Sequence, residues 1–412
     1  MKIAIVSRYF PPNIRGGGEI SAYNLAQALT EIGVDVHVIT STNIYQLEDS
    51  KFTLHPIIKN VDLTGILNYL SRNEIFYWNS YKAVSKFLAD EDIDAVHAMN
   101  MDSIPGAVIS AKKYGVPSVI TINSHWLTCP TGYMLKAYND VCNGECSYLR
   151  AVNCYLQSPN FYEKILGPLY APIQMRERRI AVRSVGAVVC ISQNIKSYVD
   201  RLFNNKVIYV IPNIVDVYKY GNKKEIGKLR SNILFVGTLG KFKGCEYVIK
   251  AMSGILKEFP DCILRIIGDG ERYEEFIELS KELGVHQNII FEGFIQAEKM
   301  LDYYNSTDIV VFPSVVPETF GRVAAEAMAA GKPVIASNVG GIPEIVEHEE
   351  TGILVEPKNP KQIADAVKYL LENPDVAREM GKRGKELVKK RYSPSIIAKK
   401  YLEEVYERLS LS

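Results

Sequence analysis

The sequence predicts an α/β protein made of two doubly wound, parallel-sheet domains. Three features of its 412 residues carry that expectation. Its apolar, β-rich runs are short and continuous rather than alternating, as parallel strands covered by helices on both faces require. Amphipathic segments separate these runs along the whole chain. The opening unit of a doubly wound domain, a strand followed by a glycine loop and a helix, occurs twice.

Composition sets the outer limits. With 47% hydrophobic and 23% charged residues the chain has the mixture of a globular protein, and its length allows two full cores. A formal net charge of +1 lacks the basic excess of a nucleic-acid binder. No run approaches the 18 or so consecutive apolar residues of a membrane span. Met1-Lys2-Ile3-Ala4-Ile5-Val6 has too short an apolar stretch for a secretory leader and reads as a first buried strand. The expectation is a cytoplasmic protein.

The first set of strands is expected at Lys2–Val6, Val34–Ile39, Ala95–Ala98, Ser118–Ile122 and Ala187–Ile191. A second series is expected at Ile208–Ile211, Ile233–Val236, Ile263–Ile267, Asp308–Phe312, Pro333–Ala336 and Ile353–Val355. Between the first two runs, Ala22, Leu25, Ala26, Leu29 and Ile32 share one face of a helix over Ile20–Ile32. Lys2–Val6 leads into Gly16-Gly17-Gly18, and Ile233–Val236 leads into Gly237, Gly240 and Gly244 before a helix from Cys245 to Lys257. The polar stretch Tyr218–Ser231 is one place to divide the chain. We place the division between 206 and 207, giving domains 1–206 with 394–412, and 207–393. Helices are expected over Pro360–Glu372, Pro374–Lys390 and Pro394–Leu409, the last opened by Ser393 as cap and Pro394 in its first turn. A ligand belongs in the cleft faced by the carboxyl ends of both sheets.

The most informative stretch runs from Pro317 to Gly331. A helix beginning near Phe320 or Gly321 leaves Glu318 just outside its N-terminus and Glu326 one to two turns inside. Free N–H groups of a first turn attract an anion. A carboxylate among Ala324, Ala325, Ala327, Ala329 and Ala330 is placed to accept hydrogen bonds from paired sugar hydroxyls. The competing reading makes Glu318 a partner of the helix dipole and Glu326 a solvated helix residue.

The ordered motifs resemble those of the retaining GT-B glycosyltransferases of family 4, the glycosyl transferases group 1. The likeness covers nearly the whole chain: Gly16-Gly17-Gly18-Glu19, Asp94-Ala95-Val96-His97-Ala98, Ile211-Pro212-Asn213-Ile214-Val215-Asp216, Gly237-Thr238-Leu239-Gly240-Lys241-Phe242-Lys243-Gly244, Ile267-Gly268-Asp269-Gly270, Glu318 through Glu326, and Gly340-Gly341-Ile342-Pro343-Glu344. It implies the GT-B fold, with two Rossmann-like domains facing a central cleft. It implies a nucleotide-diphosphate sugar as donor, a UDP- or GDP-sugar, and a glycan, lipid-linked or small-molecule acceptor, without cofactor or metal. Glu326 would hold the ribose hydroxyls, Glu318 the donor sugar, Lys243 the diphosphate, and the amides of Thr319, Phe320 and Gly321 the rest of the donor. Gly17 and Gly18 would approach the phosphates. Gly237, Gly268 and Asp269 belong to the donor loops. Rivals are an epimerase or phosphorylase on the same fold, or an inactive nucleotide-sugar-binding protein.

Three places depart from the family pattern. Thr238 stands where arginine is usual, so Lys241 becomes a candidate second cation, although an ammonium lacks a guanidinium's planar grip. Asn123 stands where the family places histidine, with His125 two residues on as a catalytic or acceptor-side candidate or a plain loop histidine. Ile214 replaces a glycine. Acceptor-side candidates also include Trp126 and His97, the latter alternatively a satisfied core histidine. Asp92-Ile93-Asp94 reads as a solvated turn rather than a metal site. Cys129, Cys142, Cys146 and Cys154 crowd one loop region, open to a structural zinc site, disulfides or free thiols. Tyr69, Phe76, Tyr77, Trp78, Tyr81 and Phe87, with Arg176, Arg178, Arg179 and Arg183, suit either peripheral contact with the inner face of a membrane or a packed core beside a solvated face.

Overall fold

The computed structural model describes residues 1–14, 16–43, 47, 50–60, 75–127, 129, 135–136, 140–142, 146–158, 160–203, 207–221 and 231–410. The chain divides into two compact units. One comprises Met1–Ile214 with Pro394–Ser412, the other Val215–Ser393.

Among the described residues the first unit holds a seven-stranded parallel sheet. Its strands are β1 (Lys2–Ser7), β2 (Asp35–Thr40), β3 (Thr53–His55), β4 (Ala95–Ala98), β5 (Ser118–Ile122), β8 (Ala187–Cys190) and β9 (Ile208–Val210). Their order is β3-β2-β1-β4-β5-β8-β9. A small antiparallel ribbon, β6 (Leu135–Lys136) with β7 (Asp140–Val141), lies between β5 and β8 in sequence. The second unit carries β10 (Asn232–Val236), β11 (Ile263–Ile267), β12 (Ile289–Gly293), β13 (Ile309–Phe312), β14 (Val334–Ser337) and β15 (Gly352–Val355) in the order β12-β11-β10-β13-β14-β15. Both sheets therefore reverse direction beside their first strand, between β1 and β4 and between β10 and β13. Such a reversal opens a crevice at the carboxyl ends of the strands, where doubly wound folds bind ligands.

Burial explains the strand pattern. Every residue of β4, β5, β8, β13 and β14 is buried, because helices cover both sheet faces and leave no polar side to alternate. The helix Gly17–Glu31 seats Ala22, Leu25, Ala26 and Leu29 in the first core. In the second unit the helix Cys245–Ile255 packs Val248, Ile249 and Met252 with Phe235 and Ile266.

Some expected boundaries shift. Ile208–Val210 pairs with β8 and belongs to the first sheet, so the division moves from 206/207 to 214/215. Parallel pairing with Val188–Cys190, not local composition, decides this. Residues 204–206 and 222–230, which flank the two proposed dividing points, lie outside the described residues. The strands Thr53–His55 and Ile289–Gly293 carried no expectation. The first is three residues long, and the second is an edge strand with one buried residue and a register shift against Ile266/Ile267. The last helix is α over Pro394–Lys400, π over Tyr401–Tyr406 and α again over Glu407–Ser410. Its Ile397, Tyr401, Val405 and Tyr406 enter the first unit's core. No helix among the described residues is long and apolar enough to cross a membrane.

Candidate active site

Four loops at the carboxyl ends of β10, β11, β13 and β14 build the second unit's crevice, and backbone bonds tie them together. Gly237 N–H donates to Ile267 O (3.0 Å) and Leu239 N–H to Asp269 O (2.9 Å). Val315 N–H donates to Phe242 O (2.9 Å) and Gly341 N–H to Glu318 O (2.7 Å). Two glycines make the close approaches feasible. Gly244 has φ +74°, and a Cβ there would lie 1.9 Å from Pro313 O; Gly340 has φ +59°, and its Cβ would lie 2.3 Å from Glu318 O. A left-handed backbone facing a carbonyl admits only glycine without rearrangement.

These ties bring Lys243 and Glu318 together across the strand reversal. Lys243 Nζ donates to Glu318 Oε1 at 2.6 Å. The lysine side chain is 31% exposed and the glutamate 14%. Ser314, fully buried, donates its hydroxyl to the same Oε1 at 2.7 Å. The carboxylate is thus oriented by a cation and a hydroxyl while the ammonium stays open to solvent on one side. Ser314 was not anticipated; its place in the loop after an apolar strand was the available clue.

Helix Arg322–Ala329 begins as expected, with Gly321 at its cap in a left-handed conformation, φ +106°. Glu326 lies one turn after Arg322, and its Oε2 accepts from Tyr304 Oη at 3.2 Å. Tyr220, packed on Tyr304, lies on the same side. Burial pushes the Glu326 carboxyl above its ordinary range, against the pull of Arg322, of the Tyr304 hydroxyl, of Lys219 and of Tyr220. Burial, joined by the charge of Glu326, raises both tyrosines well above the usual phenol value. Glu326 is half-buried and bonded to Tyr304 rather than a freely solvated helix residue. The flanking alanines 324, 325, 327 and 329 are buried, and Met328 meets the helix Pro374–Tyr392 at Gly384. Tyr304 and Tyr220, set edge to face at 5.7 Å, lie far from position 326 in sequence, and no local pattern marks them.

The other expected donor residues are placed less centrally. Phe320 turns inward onto Tyr392 at 5.7 Å and is 4% exposed; its backbone, not its ring, lines the helix start. Thr319 is half-buried beside it. Thr238 and Lys241 are exposed. The Glu275 carboxyl is held low chiefly by a hydrogen bond from Arg272 and, to a lesser degree, by the Lys241 charge. Gly268 allows a second tight approach, its Cβ position 1.9 Å from Gly237 O. The exposed Asp269 folds back, accepting from Gly270 N–H at 2.7 Å.

In the first unit, Glu19 closes the glycine loop on itself. Its Oε2 accepts from Gly16 N–H at 2.8 Å and its Oε1 from Asn100 Nδ2 at 3.2 Å. Gly17 and Gly18 open the helix; a Cβ at Gly18 would meet the Asn100 amide at an ordinary 3.8 Å. Asn123 donates to Met99 O at 2.7 Å. His97 is a core residue rather than an acceptor contact. It is fully buried, with Nδ1 2.6 Å from Tyr406 Oη and Nε2 2.7 Å from Thr121 Oγ1, and burial pulls its pKa down to about 3. His125 and Trp126 are each 4% exposed. His125 packs edge to face on Tyr198 at 5.4 Å, and the Trp126 carbonyl accepts from Arg178 at 2.6 Å. Burial continues past β5 into the turn His125–Leu127, so neither residue is presented at the surface.

The remaining motifs divide by burial. Cys142, Cys146, Cys190, Cys245 and Cys262 are free thiols. Burial pushes the Cys146 thiol up to about 12, aided by the nearby thiols of Cys129, Cys154 and Cys142. Among the described residues, no group of three or more His, Cys, Asp or Glu side chains is arranged to hold a metal ion. Phe76 and Phe87 are core residues, whereas Trp78 is 56% exposed and stacks on Tyr81. Tyr69 lies outside the described residues. Arg178 turns inward while Arg176 and Arg183 face solvent.

Two parallel sheets with crevices at their strand reversals, one bridged by a lysine–glutamate pair beside a helix start, define a GT-B architecture. The chain belongs to the GT-B glycosyltransferases of family 4. Residues 15–219 match the glycosyltransferase family 4 model and residues 219–387 the model of glycosyl transferases group 1. An uncharacterized glycosyltransferase of Methanocaldococcus jannaschii is 33% identical over 97% of this chain and 96% of its own. Among solved structures, a sucrose-phosphate synthase from Thermosynechococcus elongatus covers the whole of both chains with a TM-score of 0.74 at 22% identity. The Anabaena protein HepE in complex with UDP gives a TM-score of 0.72 at 18% identity, over 99% of this chain and 100% of its own.

Proposed function

We propose that this protein is a retaining hexosyltransferase using a UDP- or GDP-sugar and a glycan, lipid-linked or small-molecule acceptor, without a metal. The observation that carries the proposal is the Lys243–Glu318 pair, 2.6 Å across the second unit's strand reversal. A departing nucleoside diphosphate gathers negative charge. Lys243, the amides of Thr319, Phe320 and Gly321 and the start of helix Arg322–Ala329 meet that charge. Glu318 holds the donor sugar's hydroxyls, and Glu326, steadied by Tyr304, holds the ribose. Retaining hydrolases pair an acid with a carboxylate nucleophile about 5–5.5 Å away. Here the leaving phosphate instead takes the acceptor's proton on the face the acceptor attacks, so configuration is kept. The family resemblance, and the UDP bound by the Anabaena neighbour, make UDP the first nucleotide to test.

Thermal-shift titration with UDP, GDP and ADP tests the donor site. One nucleotide should raise the melting temperature, and Glu326→Gln should remove most of that shift. The matching nucleotide sugar should then be turned over with retained anomeric configuration, read by NMR. No shift from any of the three, or near-normal transfer by Glu318→Gln, would refute the assignment.

A further inference from the structure

The helix Phe161–Ser184 presents an unusual outer face. Its inner side is conventional, with Ala171, Arg178, Ala181 and Val182 buried. Yet its outer side exposes Phe161 (68%), Ile165, Leu169 (72%), Ile173 and Ile180. At about 100° per residue these five fall within an arc of about 120°. Arg176, Arg179 and Arg183 fall in the same arc. The helix's acidic residues, Glu163 and Glu177, fall outside it. Isolated exposed apolar residues are ordinary, but a contiguous stripe marks an interaction surface.

The arginines also line a cavity of about 540 Å³, together with Cys146, Ser147 and Tyr148. The face is thus apolar toward the N-terminal end of the helix and cationic toward its C-terminal end. A second copy seated on this face would have to desolvate three guanidinium groups with no carboxylate of the arc to receive them, which is costly. A surface of anionic phospholipids supplies both partners, acyl chains for the stripe and phosphates for the arginines.

We propose that the outer face of helix Phe161–Ser184 docks the protein on an anionic phospholipid bilayer, with Arg176, Arg179 and Arg183 binding headgroup phosphates. None of these residues was assigned to the donor site, and the proposal does not depend on the transferase reading.

Co-sedimentation of the full chain with phosphatidylcholine vesicles, with and without phosphatidylglycerol, tests it. Binding should require phosphatidylglycerol and weaken as salt is raised. The triple variant Arg176→Ala, Arg179→Ala, Arg183→Ala should bind on the order of 100-fold more weakly. Arg176 and Arg183 are exposed and Arg179 is half-buried, so its melting temperature should stay close to that of the parent. Leu169→Trp provides a second readout, its emission shifting to shorter wavelength on anionic vesicles. No binding to anionic vesicles at low salt, or undiminished binding by the triple variant, would overturn the proposal. So would a dimer in sedimentation equilibrium that Leu169→Asp dissolves, since a second copy would then own the face.

Discussion

The two strand reversals of this molecule are each bridged by an ion pair, and they differ in what surrounds it. In the first unit Arg8, just after β1, reaches Asp102, just after β4, at 3.1 Å. In the second unit Lys243, after β10, reaches Glu318, after β13, at 2.6 Å. The Arg8 side chain is 5% exposed, with its guanidinium over the Phe76 ring and a further bond to Asn60. Lys243 is 31% exposed. A sealed pair serves the fold, because a buried charge that loses its partner is heavily penalised. An open pair can exchange its partner for a ligand. Topology makes the two crevices alike, and packing decides which of the two cations stays open to solvent.

The widest separation between the two pairs should come from removing each cation. Lys243→Ala should lower the transfer rate by about 10²–10³ while altering stability by less than about 1 kcal/mol. Initial rates and urea denaturation together check this, and a large loss of stability would make the second pair structural as well. Arg8→Ala should destabilise the protein by about 3 kcal/mol in urea, because it removes a buried side chain with its bond to Asn60 and its packing over Phe76 as well as the pair, whereas Glu318 without Lys243 keeps the Ser314 hydroxyl.

Next in size is the pH response of the sealed interior. His97 has a folded pKa of about 3 against 6.5 in the free side chain. Below pH 6.5 the unfolded chain takes up a proton that the folded one refuses. The stabilisation is therefore complete above 6.5 and is lost as pH falls toward 3. Between pH 7 and pH 5 this histidine should cost about 2 kcal/mol. The stability of His97→Gln should fall less steeply over the same range, and parallel slopes would show that the imidazole does titrate inside the fold. The smallest effect is expected from Ser314→Ala, which removes one hydrogen bond to Glu318. It should lower the transfer rate about fivefold, corresponding to about 1 kcal/mol.

Local pattern made much of this legible. The continuous apolar runs marked ten of the thirteen described parallel strands within a residue or so of their bounds, along with Ile208–Val210 in the wrong sheet, and the helix carrying Glu326 began next to its expected glycine. Glu318 and Lys243 were singled out separately, by motif. That they touch was not legible, since 75 residues part them and only the loop contacts through Gly244 and Gly340 close the gap. His97 could be read two ways from its strand. The C-terminal helix, more than 300 residues on, settled the matter by placing Tyr406 against it.

The amino-acid sequence on its own determined the fold class, the doubled opening unit and the residue types available for chemistry, because burial on both sheet faces and turn geometry act over a few residues. Tertiary structure alone decided which of those residues meet, which cation stays open, and which histidine is sealed. Those outcomes depend on the packing of segments distant in the chain, and local propensity carries no record of it.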